Sequence, residues 1–164
     1  TMQAAIGQSD SLFTPIQLAE YCAAVANGGT RHSASILKSV RSFNYGENIY
    51  EREDEVLSTV ESPQYNWDAV HEGMRLVAKD SLSSYTMTTV AAKTGTAQKG
   101  EYVTNDGVFI CYAPFEDPEI AIAIVVERGG AGANCAPIAK EILEAYFSLK
   151  SATDVTDTEG KLLQ

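Results

Sequence analysis

Val90-Ala91-Ala92-Lys93-Thr94-Gly95-Thr96-Ala97-Gln98 sets a lysine, two hydroxyls and a glycine at the end of a short apolar run. If that run is a strand, its side chains alternate between faces. Lys93 and Gly95 then point one way, and Thr94 and Thr96 the other. A glycine inside a strand marks a place where a second backbone or a ligand comes close. An exposed, threonine-rich turn is the plain alternative for residues of these types. A phosphate-binding loop is excluded, because the glycine it requires upstream of the Lys-Thr pair is absent.

Downstream of this stretch, residues 99–104 read as a polar turn in which Gly100 supplies freedom. Residues 106–113 read as a strand ending at Pro114. Residues 119–127 show the cleanest period-two pattern, with Ile120, Ile122, Ile124 and Val126 on one face and Ala121, Ala123 and Val125 on the other. Both faces are apolar, so this strand is expected to be buried on both sides. Gly129-Gly130-Ala131-Gly132 reads as a flexible link to a last helix. Pro137 sits near the start of that helix, and Ile138, Ile142, Ala145, Tyr146 and Leu149 are its expected inner face. From Ser151 onward the chain is polar and expected to fray.

Upstream, residues 1–11 carry no helix or strand signal and read as the tail end of another element. Thr14, Pro15 and Gln17 spell a capping box with proline at the first helical position, and Phe13 and Leu18 occupy the positions of a hydrophobic staple. The helix is expected to run to about Asn27 and stop at Gly28-Gly29, and its small middle (Ala19, Cys22, Ala23, Ala26) suits close packing. Residues 36–40 read as a short strand and 45–61 as a polar, acidic surface excursion. Its charge run, Glu51, Glu53, Asp54 and Glu55, reads as a solvated face. Trp67, Val70, Met74 and Val77 recur at helical spacing and predict a second amphipathic helix over 66–79, with that stripe in the core. A hydroxyl-rich connection, 81–89, then leads into the Lys-Thr-Gly-Thr stretch.

The order is helix, helix, three strands, helix. It predicts an α+β fold with an antiparallel sheet of about three strands packed with helices. A chain of 164 residues that is 45% hydrophobic fits one ordinary domain. Residues 1–150 form that domain in this reading, and 151–164 a polar C-terminal tail. A formal charge of −10 argues against nucleic acid, which draws most of its affinity from basic faces. No apolar run approaches the ~18 residues of a membrane span. Cys22, Cys111 and Cys135 lack metal-ligand spacing and read as buried free thiols. No metal and no cofactor are expected.

Four segments stand together in one order: Ala5-Ile6-Gly7-Gln8 with Thr14-Pro15-Ile16-Gln17-Leu18-Ala19; Asn27-Gly28-Gly29-Thr30; Ala92-Lys93-Thr94-Gly95-Thr96-Ala97; and Tyr112-Ala113-Pro114. The 120–126 strand and Pro137-Ile138-Ala139 follow. Together they resemble the C-terminal half of the transpeptidase domain of penicillin-binding proteins, most like the class B type, from Ala5 to Tyr146. The resemblance implies a partial β-lactamase/transpeptidase-like fold. It implies D,D-transpeptidation, in which a serine takes the acyl group of a D-Ala-D-Ala stem peptide and passes it to an amine of a second strand. The partners implied are the peptidoglycan stem peptide, β-lactams and the N-terminal half of the domain. Place and role follow as the extracytoplasmic face of a bacterial membrane and cell-wall synthesis.

Carried onto this sequence, the resemblance makes Lys93 and Thr96 catalytic, and Thr94, Gly95 and Thr96 substrate-binding. Lys93 would place positive charge near the substrate carboxylate, and Thr94 and Thr96 would hydrogen-bond it. The Thr96 N–H would be half of an oxyanion hole. The serine, its lysine and the Ser-x-Asn element are expected before Thr1, which leaves this chain alone catalytically incomplete. Ser35-Ile36-Leu37-Lys38 and Ser42-Phe43-Asn44 spell those motifs by chance, in strand-like sequence beyond Asn-Gly-Gly. Ala92 departs from the glycine usual before the lysine. If both threonines face the site, Lys93 should point away, and a twist or bulge near Gly95 is the expected remedy. An open apolar edge is expected on the 119–127 strand, so that the chain pairs with a missing half, pairs with itself, or is only marginally stable. A serine β-lactamase or β-lactam sensor, and a non-catalytic binding module of the same fold, are the alternatives.

Overall fold

A computed structural model describes residues 12–44, 46–85 and 87–159, the last seven of these as backbone alone. Helix α1 (Pro15–Ala26) begins as its sequence dictates. The Thr14 hydroxyl accepts the Gln17 N–H at 3.4 Å, and Gln17 Oε1 accepts the Thr14 N–H at 2.9 Å. Phe13 stays largely exposed, so the staple buries little. At the other end the Asn27 side chain bonds both the N–H and the C=O of Thr30, at 2.8 and 2.7 Å. Gly28 and Gly29 then turn the chain at φ 79° and 112°. A Cβ on Gly29 would lie 2.5 Å from the Val60 carbonyl oxygen and 2.7 Å from the Trp67 ring, so only glycine fits this seam.

Four short strands follow: β1 (Thr30–His32), β2 (Ser39–Arg41), β3 (Asn48–Glu51) and β4 (Val56–Thr59). They pair as two antiparallel ribbons, β1 with β4 and β2 with β3, each with a register shift. The segment read as a plain surface excursion therefore contains β3 and β4, both fully exposed, and β1 had no sequence signal. The strand expected over 36–40 forms slightly later, at 39–41. Exposed two-stranded ribbons have no core face, so their sequences need not alternate.

Helix α2 (Gln64–Ser81) extends the expected helix by two residues at each end. Of its apolar stripe, Met74 is buried and Val77 packs on the core, whereas Val70 is exposed. The main sheet is antiparallel, in the order β5 (Ala91–Ala97), β6 (Asp106–Ala113), β7 (Ile120–Val126). On one face lie Ala92, Phe109, Cys111, Ile122 and Ile124, packed with Ala136, Ala139 and Leu143 of helix α3 (Ala136–Glu159). On the other lie Ala91, Ile110 and Tyr112, packed with Cys22 and Val25 of α1 and Met74 of α2. Helix α2 feeds both layers, since Ala78 joins the α3 side. Both faces of β7 are covered, as its pattern implies, with Ala121 and Ala123 small enough to let α1 approach; Val125 is partly exposed.

The inner face of α3 differs from expectation. Ala136, Ala139 and Leu143 are buried, while Ile138, Ile142 and Leu149 are exposed. Small alanines allow the helix axis to lie close to the sheet, which turns the larger isoleucines outward. Burial of Leu143 is complete, and truncating such a residue costs ~2–5 kcal/mol. The helix also continues past Ser151 to Glu159, because no proline or glycine interrupts it there. The three cysteines are free and buried, and burial pushes the Cys22 and Cys111 thiols up to about 12 each. The segment before Leu12 lies outside the described residues, so the reading of Ala5 to Gln8 is not assessed by the fold.

Candidate functional site

Strand β5 explains how Lys-Thr-Gly-Thr is presented. Its first two residues, Ala91 and Ala92, are fully buried beside α2 and anchor it. Ala92, where the family usually has glycine, is fully buried in the layer that packs with α3. Beyond this root the strand emerges: Lys93 is exposed, Thr94 and Gly95 half-buried, and Thr96 and Ala97 exposed. Among the described residues β5 pairs with β6 alone, so its other edge is unpaired.

The β5–β6 register runs one to one from Ala91–Tyr112 to Ala97–Asp106, without a shift. The bulge expected near Gly95 is absent. Residues directly opposite in an antiparallel pair share a face. Lys93 and Gly95 therefore stand with Ile110 and Val108 on the α1 side, and Thr94 and Thr96 with Phe109 and Gly107 on the α3 side. No bulge is needed to bring the two sets together, because on an edge strand both faces border the same free edge. A chain lying along that edge meets the lysine from one side and the threonines from the other. The Lys93 ammonium donates to the Thr94 carbonyl at 2.6 Å, which keeps it against its own strand.

The close approach implied by Gly95 comes from a second glycine. Gly132 opens a 3₁₀ turn (Gly132–Cys135) that lies across β5 and β6. A Cβ on Gly132 would be 2.1 Å from the Gly95 carbonyl oxygen and 2.4 Å from that of Val108. Its N–H donates to Thr96 Oγ1 at 3.3 Å. Gly107, opposite Thr96, leaves room for the same turn, since a Cβ there would meet Cys135 Sγ at 3.0 Å. The Gly129-to-Gly132 segment is thus pinned, not a flexible link. The Gly130 N–H donates to the Asn105 carbonyl at 2.9 Å, and Asn134 Nδ2 to the Gly129 carbonyl at 2.8 Å.

Asp106, the buried carboxylate at the start of β6, joins two loops. One oxygen accepts the Arg128 N–H at 2.8 Å, and the other meets Lys99 Nζ at 2.7 Å. The Lys99 ammonium and the Arg128 N–H hold this carboxyl below its ordinary range, and the same ion pair raises Lys99. Sequence reading passed over Asp106, Lys99 and Gly132. The available signals were an aspartate opening an otherwise apolar strand and the third glycine of a Gly-Gly-Ala-Gly run.

Ser35 and Lys38 lie in the loop before β2, and Ser42 and Asn44 at the tip of the β2–β3 ribbon, so neither chance motif sits on a helix. Among the described residues no group of three or more His, Cys, Asp or Glu side chains is placed to hold a metal. No helix among them is long and apolar enough to cross a membrane. A cavity of about 250 Å³ between the end of α2 and residues 83–90, lined by Arg75, Lys79, Tyr85 and Thr89, lies apart from Lys93 to Thr96.

Residues 1–144 match the family described as the penicillin binding protein transpeptidase domain. The chain is 34% identical to penicillin-binding protein 2A of Bacillus subtilis, over 96% of this chain and 25% of that protein. It is 25% identical to the peptidoglycan D,D-transpeptidase MrdA of Haemophilus influenzae, over 90% of this chain and 26% of that protein. Its fold matches penicillin-binding protein A from M. tuberculosis, solved as a penicillin G acyl-enzyme complex, with a TM-score of 0.77 and 29% identity over 88% of this chain and 34% of that one. The chain spans about a quarter of the length of these curated relatives. By its sequence match and by its fold, the chain belongs to the penicillin-binding protein transpeptidase domain family.

Proposed function

We propose that residues 93–96 form the carboxylate-gripping rim of a D,D-transpeptidase site that cross-links peptidoglycan stem peptides by serine acyl transfer. The observation that carries this reading is Lys-Thr-Gly-Thr on the exposed half of an edge strand, whose outer edge pairs with no strand among the described residues. The donor peptide adds along that edge, and Gly95 lets its backbone lie close. Lys93 supplies positive charge on one side, while the Thr94 and Thr96 hydroxyls hold the terminal carboxylate from the other. A serine contributed from outside these 164 residues attacks the donor carbonyl, forming an ester as the bond to the last D-alanine breaks. The leaving amine takes the proton. An acceptor amine then attacks the ester and restores the serine hydroxyl. The Thr96 N–H stabilises the oxyanion in both steps, a contribution worth ~100-fold or more in rate.

A β-lactam enters as a mimic of the donor, opening its ring amide onto the same serine. The chain works at the extracytoplasmic face of a bacterial membrane, and its domain is residues 1–150 of this sequence together with a serine-bearing part. That part completes the sheet along β7, whose outer edge, Ile120–Val126, pairs with no described strand. In its absence the same edge favours self-association. Light scattering of the isolated chain tests this, and a stable monomer at all concentrations opposes it.

The functional reading is tested by intact-protein mass after benzylpenicillin treatment of a protein joining these residues to the serine-bearing part. A persistent adduct is expected, with none on the 164-residue chain alone. A transient adduct points instead to a β-lactamase, and no adduct to a binding module; either overturns the proposal. Labelling of the isolated chain would contradict the assignment of the nucleophile.

A further inference from the structure

We propose that Asp106 is a positioning residue for the site above: by tying together the loops that flank β5, it seats the 3₁₀ turn on Gly95 and Thr96. The inference rests on the proposed acyl-transfer reading. The Asp106 carboxylate holds Lys99 and the Arg128 N–H, neither of them assigned to substrate, so it acts on the site through the backbone.

Three contacts define the device. Asp106 pairs with Ala97 at the far end of the β5–β6 ladder, one residue beyond the pair Thr96–Gly107. Its Oδ2 holds Lys99, two residues past the end of β5, so the turn leaving the rim is drawn back toward β6. Its Oδ1 holds the Arg128 N–H, where the chain leaves β7 with Arg128 at φ 56°, a conformation that L residues other than glycine adopt rarely. From there the Gly130 N–H bonds the Asn105 carbonyl, adjacent to Asp106, and two residues later Gly132 lands on Thr96 and Gly95. The carboxylate is the one buried charged side chain among the described residues, and both of its oxygens are engaged.

An edge strand with one pairing partner has little else to fix its free half. Lys93, Thr94 and Thr96 lie in that half, and oxyanion and carboxylate donors lose effect steeply when displaced, with ~1 Å worth up to ~100-fold. The clip restrains that half from beyond its end, on the side away from the buried root at Ala91 and Ala92.

The test is a double-mutant cycle in the protein carrying the complete domain, read as the second-order rate of acylation by benzylpenicillin. Asp106→Ala is expected to slow acylation on the order of tenfold in the wild-type background and by less than about twofold in a Thr96→Ala background, because the two act through one element. Asp106→Asn keeps an acceptor for the Arg128 N–H and is expected to recover most of the rate, which general destabilisation would not predict. If Asp106→Ala fails to fold, Lys99→Met replaces it in the same cycle, with a smaller slowing that also vanishes beside Thr96→Ala. Equal slowing in both backgrounds, or none in either, overturns the proposal. If Thr96→Ala alone leaves acylation unchanged, the functional reading itself fails, and the two failures are thereby told apart.

Discussion

Replacing Gly132 by alanine tests the central packing contact directly. The added Cβ would sit 2.1 Å from the Gly95 carbonyl oxygen, 2.4 Å from that of Val108 and 2.7 Å from the Gly95 nitrogen. All three obstacles are main-chain atoms of the β5–β6 ladder, so none can swing aside as a side chain would. Ordinary contact begins near 3.4 Å, and reaching it requires the turn to retreat by about 1 Å or more. Overpacking of this kind costs ~1–3 kcal/mol, and the upper end is expected because ladder and turn must both distort. At a urea m-value of ~2 kcal/mol/M, a loss of ~3 kcal/mol lowers the unfolding midpoint by ~1.5 M. The retreat also withdraws the Gly132 N–H from Thr96, at a displacement where positioning losses approach ~100-fold. Urea unfolding followed by the fluorescence of Trp67, the single tryptophan of this sequence, is run beside benzylpenicillin acylation in the complete domain. A variant that unfolds at the wild-type midpoint and acylates at the wild-type rate would refute the close-approach argument.

Gly73, exposed within α2 with nothing within 4 Å of an added Cβ, gives the opposite sign: Gly73→Ala is expected to stabilise by ~0.5–1 kcal/mol in the same urea assay, and a loss of stability would contradict the geometry. The buried thiols should resist alkylation by iodoacetamide at pH 8, since Cys22 and Cys111 are pushed up to about 12, and all three should label once the chain is unfolded; rapid labelling of the native protein would count against this core. The Asp106 carboxyl lies below its ordinary value in the folded state, so it stabilises the fold above the unfolded value of ~4 and loses that effect as pH falls through the folded value. Acid unfolding of Asp106→Asn should accordingly show a flatter limb below about pH 4 than the wild type, and superimposable curves would remove the carboxylate from that role.

What the sequence disclosed, it disclosed where one physical rule acts alone. The capping box at Thr14 and Gln17 and the alternation of Ile120 to Val126 translate directly into a helix start and a doubly covered strand. Lys93 to Thr96 were legible as a strand with Lys93 and Gly95 on one face and Thr94 and Thr96 on the other, but how both faces could serve one edge was not. A bulge was expected because the site was imagined on one face, whereas an edge strand offers both. The inner face of α3 was misjudged for a related reason: hydrophobic size favours Ile138 and Ile142, yet close approach to the sheet favours Ala136 and Ala139. The ribbons β1–β4 and β2–β3 left little trace, since exposed strands escape the alternation that burial imposes. Gly132 lies far from Thr96 in sequence, and Arg128 far from Asp106, so only the folded chain reveals either contact.

The seam at Gly29 carries a consequence of a different kind. The Val60 N–H donates to the Gly29 carbonyl at 2.9 Å, so the chain leaves for the ribbons and returns through a hydrogen-bonded gate, beside which Arg31 and the Ala34 N–H meet the Glu20 carboxylate of α1. The ribbons beyond are topologically a handle held to the body at its root, by this gate and by the hold of Glu20 on Arg31 and Ala34. Closing such a handle costs only ~0.6 kcal/mol more for each doubling of its length. It can therefore be lengthened, trimmed or replaced by a short turn with little tax on the sheet beneath, making it the natural place to graft a reporter or an affinity tag.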